Sequence, residues 1–420
     1  MKRALVFSGG GSRGAYEIGA WQALTELGVR LDGVYGASIG AINAALAAQG
    51  DPDSAVRLWE NIRLNEVVAT DDEDFSVDRM ISRKRDVIPF LLENAKYLRM
   101  DVAPLRALIE RTLSEGRVRA SGLEFGVMTV RVPQMQPVPM RLKDMQQGSL
   151  TDWIMASAAC FPVFPLQKIG GERYLDGGYF DNLPIDMAIA DGMDEIVAVD
   201  VHPQPCHPEY ARMPFLKMIR PRHEVGGFLD FNPRIIQRAR RMGYYDAMKA
   251  YSAFDGVRYT FRYRSDLSVS ARARKFMQMV AAFDAEAIRR EAFKSSQLMN
   301  APLIAAIERE TIDEPLTWKQ VYLRGLELCA GKMDFREDAI YDPDRLTEQI
   351  LSYARMGEQV TAVTETSILN AARMGSRELI SYLYRVLRAC GRYPEHTVRV
   401  LSDYPDETAA ALYLYAAAEN

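Results

Sequence analysis

The chain has 420 residues, 48% hydrophobic and 26% charged, the proportions of a folded globular protein with room for two domains or one large domain and an appended unit. A net charge of -4 over that length excludes a global attraction to nucleic acid. The four cysteines, Cys160, Cys206, Cys329 and Cys390, show no C-x-x-C spacing, so neither a disulfide framework nor a metal or other cofactor is expected.

The chain opens MKRALVFSGGG, whose apolar run is too short for a secretory segment. No later stretch reaches the roughly 18 apolar residues of a membrane span, and a soluble cytoplasmic protein is the expectation. Residues 3–8 read as a buried strand, followed by Gly9-Gly10-Gly11-Ser12-Arg13-Gly14 and a helix closed at Gly28. A strand, a glycine loop and a helix in that order place free N–H groups at a helix N-terminus, which suits an anion. Gly9, Gly11 and Gly14 also satisfy G-x-G-x-x-G, the dinucleotide pattern. In that fold an acidic residue ends the second strand. Here Asp32 precedes the strand and Ser38 follows it, which weakens a nucleotide-binding or scaffolding reading without removing it.

Residues 33–43 read GVYGASIGAIN. Val34 and Tyr35 look like a strand end, and Ile39 to Gln49 is small, apolar and alanine-rich like a buried helix. Ser38 therefore sits on a sharp turn between Gly36 and Gly40, where a Cβ would clash, and this is the pattern of a nucleophile elbow. Beside a nucleophilic serine, the earlier loop has a use: the N–H groups of Gly10 and Gly11 can hold an oxyanion. Arg13 would add positive charge there for an anionic substrate, or pair with a local carboxylate.

Asp51 to Asn61 reads as a helix entered through Pro52, and Asp71 to Asp74 as a solvated acidic loop. Residues 78–115 look mostly helical and are placed to cap the site. Leu123 to Val132 and Val138 to Leu142 suggest a strand pair, and residues 149–165 a helix stopped by Pro162 and Pro165. Asp176 precedes Gly177 and Gly178. An aspartate on a glycine turn is ordinarily a turn former, but a serine elbow without an evident histidine can use a carboxylate as its base. Glu195 to Val201 reads as a further strand of a parallel sheet.

The segments GGGSRG, GASIG, ASAACFPVFP and DGGYFDNLPI, in this order over the first 205 or so residues, resemble the patatin-like phospholipase family of bacterial type. The resemblance implies an α/β fold, a three-layer sandwich with a mainly parallel central sheet. It also implies a Ser-Asp dyad of Ser38 and Asp176, an oxyanion hole at Gly10 and Gly11 with Arg13 adjacent, and a phospholipid or other fatty-acyl ester as substrate. The rival constellation is a triad of Ser38, Asp176 and His202, in α/β-hydrolase order, which would make a soluble carboxylesterase.

From Pro203 the composition turns proline-rich and reads as a boundary, giving a catalytic domain over 1–205 and a mainly α-helical region of unassigned role over 206–420. Residues 212–249 carry a local excess of basic residues with interleaved apolar ones, either a helix docked on its own domain or a contact for anionic lipid headgroups.

Overall fold

The computed structural model describes residues 1–69, 100–210, 213–265, 269–291, 301–309, 316–357, 360 and 363–418. The acidic run at 71–74, most of the proposed cap and Arg212 lie outside them. The chain divides into two units, Met1–Tyr251 and Ser252–Asn420.

The first unit is built on one mixed sheet. Its strands are β1 (Arg3–Phe7), β2 (Gly33–Ala37), β3 (Glu124–Val132), β4 (Gln136–Arg141), β5 (Gln167–Ile169), β6 (Glu172–Asp176), β7 (Glu195–Val199) and β8 (Leu216–Ile219). The order is β5-β6-β3-β2-β1-β7-β8, with β4 also paired to β3. From β3 to β8 the neighbours run parallel, with Val6 opposite both Tyr35 and Ala198. β4, β5 and β6 run antiparallel to their neighbours. The central strands are apolar on both faces, as a sheet covered on both sides requires.

Helices α1 (Gly14–Glu26) and α2 (Ile39–Gln49) lie on one face. On the other, Ala4, Val6, Tyr35, Ala37 and Ala198 pack with Ile185 and Met187 of a helix further along the chain, α7 (Ile185–Ala190). Period-2 alternation of the strands thus divides the core into two layers about the sheet. Between β2 and β3 come α3 (Pro52–Asn61), α4 (Ala103–Thr112) and α5 (Glu115–Ala120), and α6 (Leu150–Ser157) precedes β5. α3 is capped as expected, with Asp51 accepting from Ser54 N at 3.0 Å. α6 stops at Ser157, well short of the prolines expected to end it.

Residues 206–251 belong to the first unit, which moves the boundary from the expected 205 to 251. β8 extends the sheet beside β7, and α8 (Pro233–Ala250) packs closely on α1. The contact is backbone to backbone: a Cβ on Gly19 would come within 1.9 Å of the Arg240 carbonyl, and one on Gly243 within 1.9 Å of the Tyr16 carbonyl. Proline-rich composition marked a loop inside the unit, not its end.

Much of the charge in this segment is spent internally. Arg220 pairs with the buried Asp200 at 3.1 Å, Arg240 with Glu60 at 2.7 Å and Lys249 with Asp246 at 2.7 Å, and Arg238 donates to the Glu224 carbonyl. No helix of the described residues is long and apolar enough to cross a membrane.

The second unit is mainly helical, as expected, with α9 (Ser270–Glu291), α11 (Trp318–Lys332), α14 (Ser376–Cys390) and α16 (Pro405–Ala418) among its helices and α10 (Pro302–Glu308), α12 (Pro343–Ala354), α13 (Glu365–Met374) and α15 (Val398–Ser402) between them. It also holds a small sheet unforeseen in the sequence, of β9 (Phe254–Asp255), β10 (Thr260–Arg262) and β11 (Ile340–Tyr341). The buried Glu327 secures the turn between β9 and β10 by accepting from the N–H groups of Val257, Arg258 and Tyr259, while its other oxygen pairs with Arg324 at 2.5 Å.

Candidate active site

Ser38 stands between β2 and α2 with φ 55° and ψ -125°, a conformation that costs a β-substituted residue about 1–3 kcal/mol. The surroundings hold it there. A Cβ on Gly36 would lie 2.1 Å from the Gly40 carbonyl, and one on Gly40 would lie 2.5 Å from the Phe7 carbonyl, so strand and helix meet at a distance only glycine allows. Gly36→Ala is therefore expected to cost about 3 kcal/mol through overpacking against backbone, measured as a lowered denaturant midpoint with an unchanged slope. Ser157, which the sequence gave no reason to single out, adds a third tether: its Oγ accepts from Ser38 N at 3.1 Å and donates to the Met128 carbonyl at 2.6 Å.

Asp176 ends β6 and is 4% exposed. It caps the short turn Gly177–Tyr179 by accepting from Gly178 N at 2.7 Å. The same side chain also meets the Ser38 hydroxyl, so its use as a turn former leaves it in contact with the elbow serine. Burial pushes its carboxyl up to about 6, against the opposing pull of the Ser38 hydroxyl and the Gly178 N–H. The two residues, far apart in sequence, are adjacent because β2 and β6 follow one another along the same edge of β3, with Ala37 opposite Met128 and Asp176 opposite Thr129, while β4 holds the other edge.

The glycine loop lies alongside. Gly9 is close to Ser38, since a Cβ there would sit 3.0 Å from the Ser38 Cβ. Gly11 has φ +61°, which favours glycine. Among the described residues, the N–H groups of Gly10 and Gly11 have no acceptor within the protein. The flanking N–H groups are engaged, Gly9 N with the Asn182 carbonyl at 2.9 Å and Ser12 N with the Phe228 carbonyl at 2.8 Å. Two donors at a helix start are thus left unengaged on a fixed loop.

Asn182 was not identified from sequence, yet it joins the two glycine turns. Its Nδ2 donates to the Gly9 carbonyl at 3.2 Å, and its Oδ1 lies where a Cβ on Gly9 or Gly178 would fall. Gly14 packs against Ile39 and Asn43, and Gly177 against the Met128 carbonyl. Arg13 donates Nε to the Gly226 carbonyl at 2.9 Å, so part of its guanidinium ties the loop to residues 226–231. Beneath, Asn43 donates to the buried Glu17 at 2.7 Å and accepts from Trp59 Nε1 at 3.0 Å. Burial raises the Glu17 carboxyl well above its usual range.

His202 is exposed, and its Nδ1 pairs with the Gln204 carbonyl at 3.0 Å. Asp32 is also turned to structural use, accepting from Arg3 N at 2.8 Å at the start of β1, and it stands before β2, whereas the dinucleotide reading needs an acid at the end of that strand, where Ser38 stands.

Ser38 and Gly11 line a recess whose walls are almost wholly apolar. Ile42, Trp59, Leu108, Ile109, Phe164 and Phe228 form much of its wall. A hydroxyl beside a carboxylate of raised pKa, a glycine loop with two unengaged N–H donors and an apolar recess are therefore neighbours.

Residues 5–189 match the family model described as Patatin-like phospholipase. This segment is a patatin-like phospholipase domain. Curated relatives similar to this part include rat patatin-like phospholipase domain-containing protein 7, 26% identical over 204 residues, 47% of this chain and 13% of that protein. Lysophospholipase nte1 of Aspergillus terreus is 29% identical over 197 residues, 47% of this chain and 12% of that protein. The chain thus corresponds to about an eighth of the length of the relatives it matches. VipD from Legionella pneumophila is similar at 15% identity and a TM-score of 0.41, over 97% of this chain and 91% of that one. The patatin-like segment coincides with β1 to α7, the elements that carry Ser38, Asp176 and the glycine loop.

Proposed function

We propose that this protein is a lipid acyl hydrolase of phospholipase A type. Ser38 Oγ attacks the ester carbonyl carbon as Asp176 takes its proton, and the N–H groups of Gly10 and Gly11 hold the negative charge that develops on the carbonyl oxygen. The carbon–oxygen bond to the alcohol then breaks and Asp176 passes the proton to the departing oxygen. Water attacks the acyl-serine, Asp176 accepts its proton, and the fatty acid leaves as Ser38 regains a proton. The observation that carries this reading is the meeting of Ser38, the buried Asp176 and an apolar cavity beside two unengaged N–H groups. Relatives named phospholipase and lysophospholipase support it. Product analysis by mass spectrometry tests it: fatty acid should be released from phospholipid by the wild type and not by Ser38→Ala.

A triad through His202 is less well supported, because that ring is exposed and engaged by Gln204. Peripheral contact with an anionic bilayer through residues 212–249 is a weaker companion proposal, since Arg220, Arg240 and Lys249 are already paired. Co-sedimentation with anionic liposomes is expected to be weak at low salt and lost in molar salt, where the screening length falls to about 3 Å. Salt-insensitive binding would overturn the electrostatic account.

A further inference from the structure

We propose that Thr112 closes the far end of the apolar cavity and so limits the accepted acyl group to about a dozen carbons. The proposal rests on the reading of that cavity as the acyl subsite.

Two hydrogen bonds orient the cavity. Met100 N donates to the Val163 carbonyl at 3.0 Å, which sets the entry of α4 beside Phe164. Gln49 Nε2 donates to the Thr112 carbonyl at 3.1 Å, which sets the exit of α4 beside the last residue of α2. Ser38 is at the opposite end of α2, so Ser38 and Thr112, both lining the cavity, lie toward opposite ends of that helix.

The length follows from helix geometry. α2 rises about 1.5 Å per residue, which gives roughly 16 Å from Ser38 to Gln49. An extended hydrocarbon built of bonds of about 1.5 Å advances roughly 1.3 Å per carbon, so about 12 carbons fill that distance. Leu105, Leu108, Ile109 and Thr112 line the cavity at i, i+3, i+4 and i+7, a single face of α4 that runs along the chain path. The Thr112 hydroxyl donates to the Leu108 carbonyl at 2.6 Å. Its polar group is thereby satisfied within the helix and makes no demand on a ligand. The residue is small, at the end of a helix, and adjacent to no part of the reacting centre, which is where a length limit can be set without altering the chemistry.

The test compares wild type, Thr112→Ala and Thr112→Phe on p-nitrophenyl esters of four to sixteen carbons. Thermal shifts with free fatty acids of the same lengths, measured on each protein in a Ser38→Ala background, supply a readout independent of turnover. Wild-type kcat/KM is expected to peak near ten to twelve carbons and fall at least about tenfold at sixteen, since even one misfitted methylene in an apolar pocket is worth that much. Thr112→Phe should move both the kinetic optimum and the largest thermal shift to shorter chains by about three carbons, with the four-carbon ester within about twofold of wild type. Thr112→Ala should move both to longer chains, and it carries the test alone if Thr112→Phe fails to fold. Thermal shifts whose length profile is the same in all three proteins would overturn the proposal. A profile that moves as described in a protein that hydrolyses no ester would sustain the length limit and overturn the hydrolase reading.

Discussion

Ser38→Ala is expected to lower kcat for ester hydrolysis on the order of a millionfold and to abolish labelling by a fluorophosphonate probe, with the fold intact. The magnitude is that of removing a nucleophile from a unit whose members act together. Asp176→Asn should lower kcat by about 10³ to 10⁴, the upper range for a positioned general base, with a proportionate loss in the rate of probe labelling. The asymmetry is informative. Without Asp176 the serine alcohol is still present on its strained turn, beside the same N–H donors, and retains the part of the rate that charge stabilisation and binding supply. His202→Ala should leave turnover within about twofold, because its ring is engaged with Gln204 and exposed. Turnover that survives Asp176→Asn but not His202→Ala would replace the dyad by a triad.

The serine elbow was legible because its signals are local: apolar residues ending at Tyr35, glycines at 36 and 40, and an alanine-rich helix after them all describe one turn of chain. The neighbourhood of Asp176 was legible for the same reason. Ser157 and Asn182 were not, since each is a single polar residue whose partner is more than a hundred positions away, Ser38 and Gly9 respectively. Only the sheet order brings them together. The domain boundary failed differently. Pro203 to Pro214 has the composition of a linker, but pairing of β8 with β7 and the glycine-mediated contact of α1 with α8 carry the unit to Tyr251, and neither feature has a short-range signature. The small sheet of the second unit uses strands of two or three residues, too short for a period-2 pattern to register.

Activity and stability are expected to move in opposite directions between pH 4 and pH 7, and Asp176 is the reason. Its carboxyl titrates at about 6 in the folded chain against an ordinary 3.8, with burial as the dominant cause. The folded protein therefore binds that proton more tightly than the unfolded chain does. The resulting contribution to stability is fully present below about pH 4, declines as pH rises through 6, and is gone above it, by about 3 kcal/mol for a shift of roughly two pH units. Over the same window the carboxylate becomes available as a base, so kcat/KM should rise about tenfold per pH unit below 6 and level off near neutrality. Glu17 is buried with a raised pKa as well and confounds any single pH titration of stability. The measurement is therefore a difference: denaturant midpoints of wild type and Asp176→Asn from pH 4 to pH 8. Asparagine keeps the shape and cannot ionise, so its advantage over wild type should grow through pH 4 to 6 and stay constant above. A pH-independent difference, or a wild type that gains on the variant as pH rises, would mean that the carboxylate is not held in a desolvated setting and that its strength as a base has another origin.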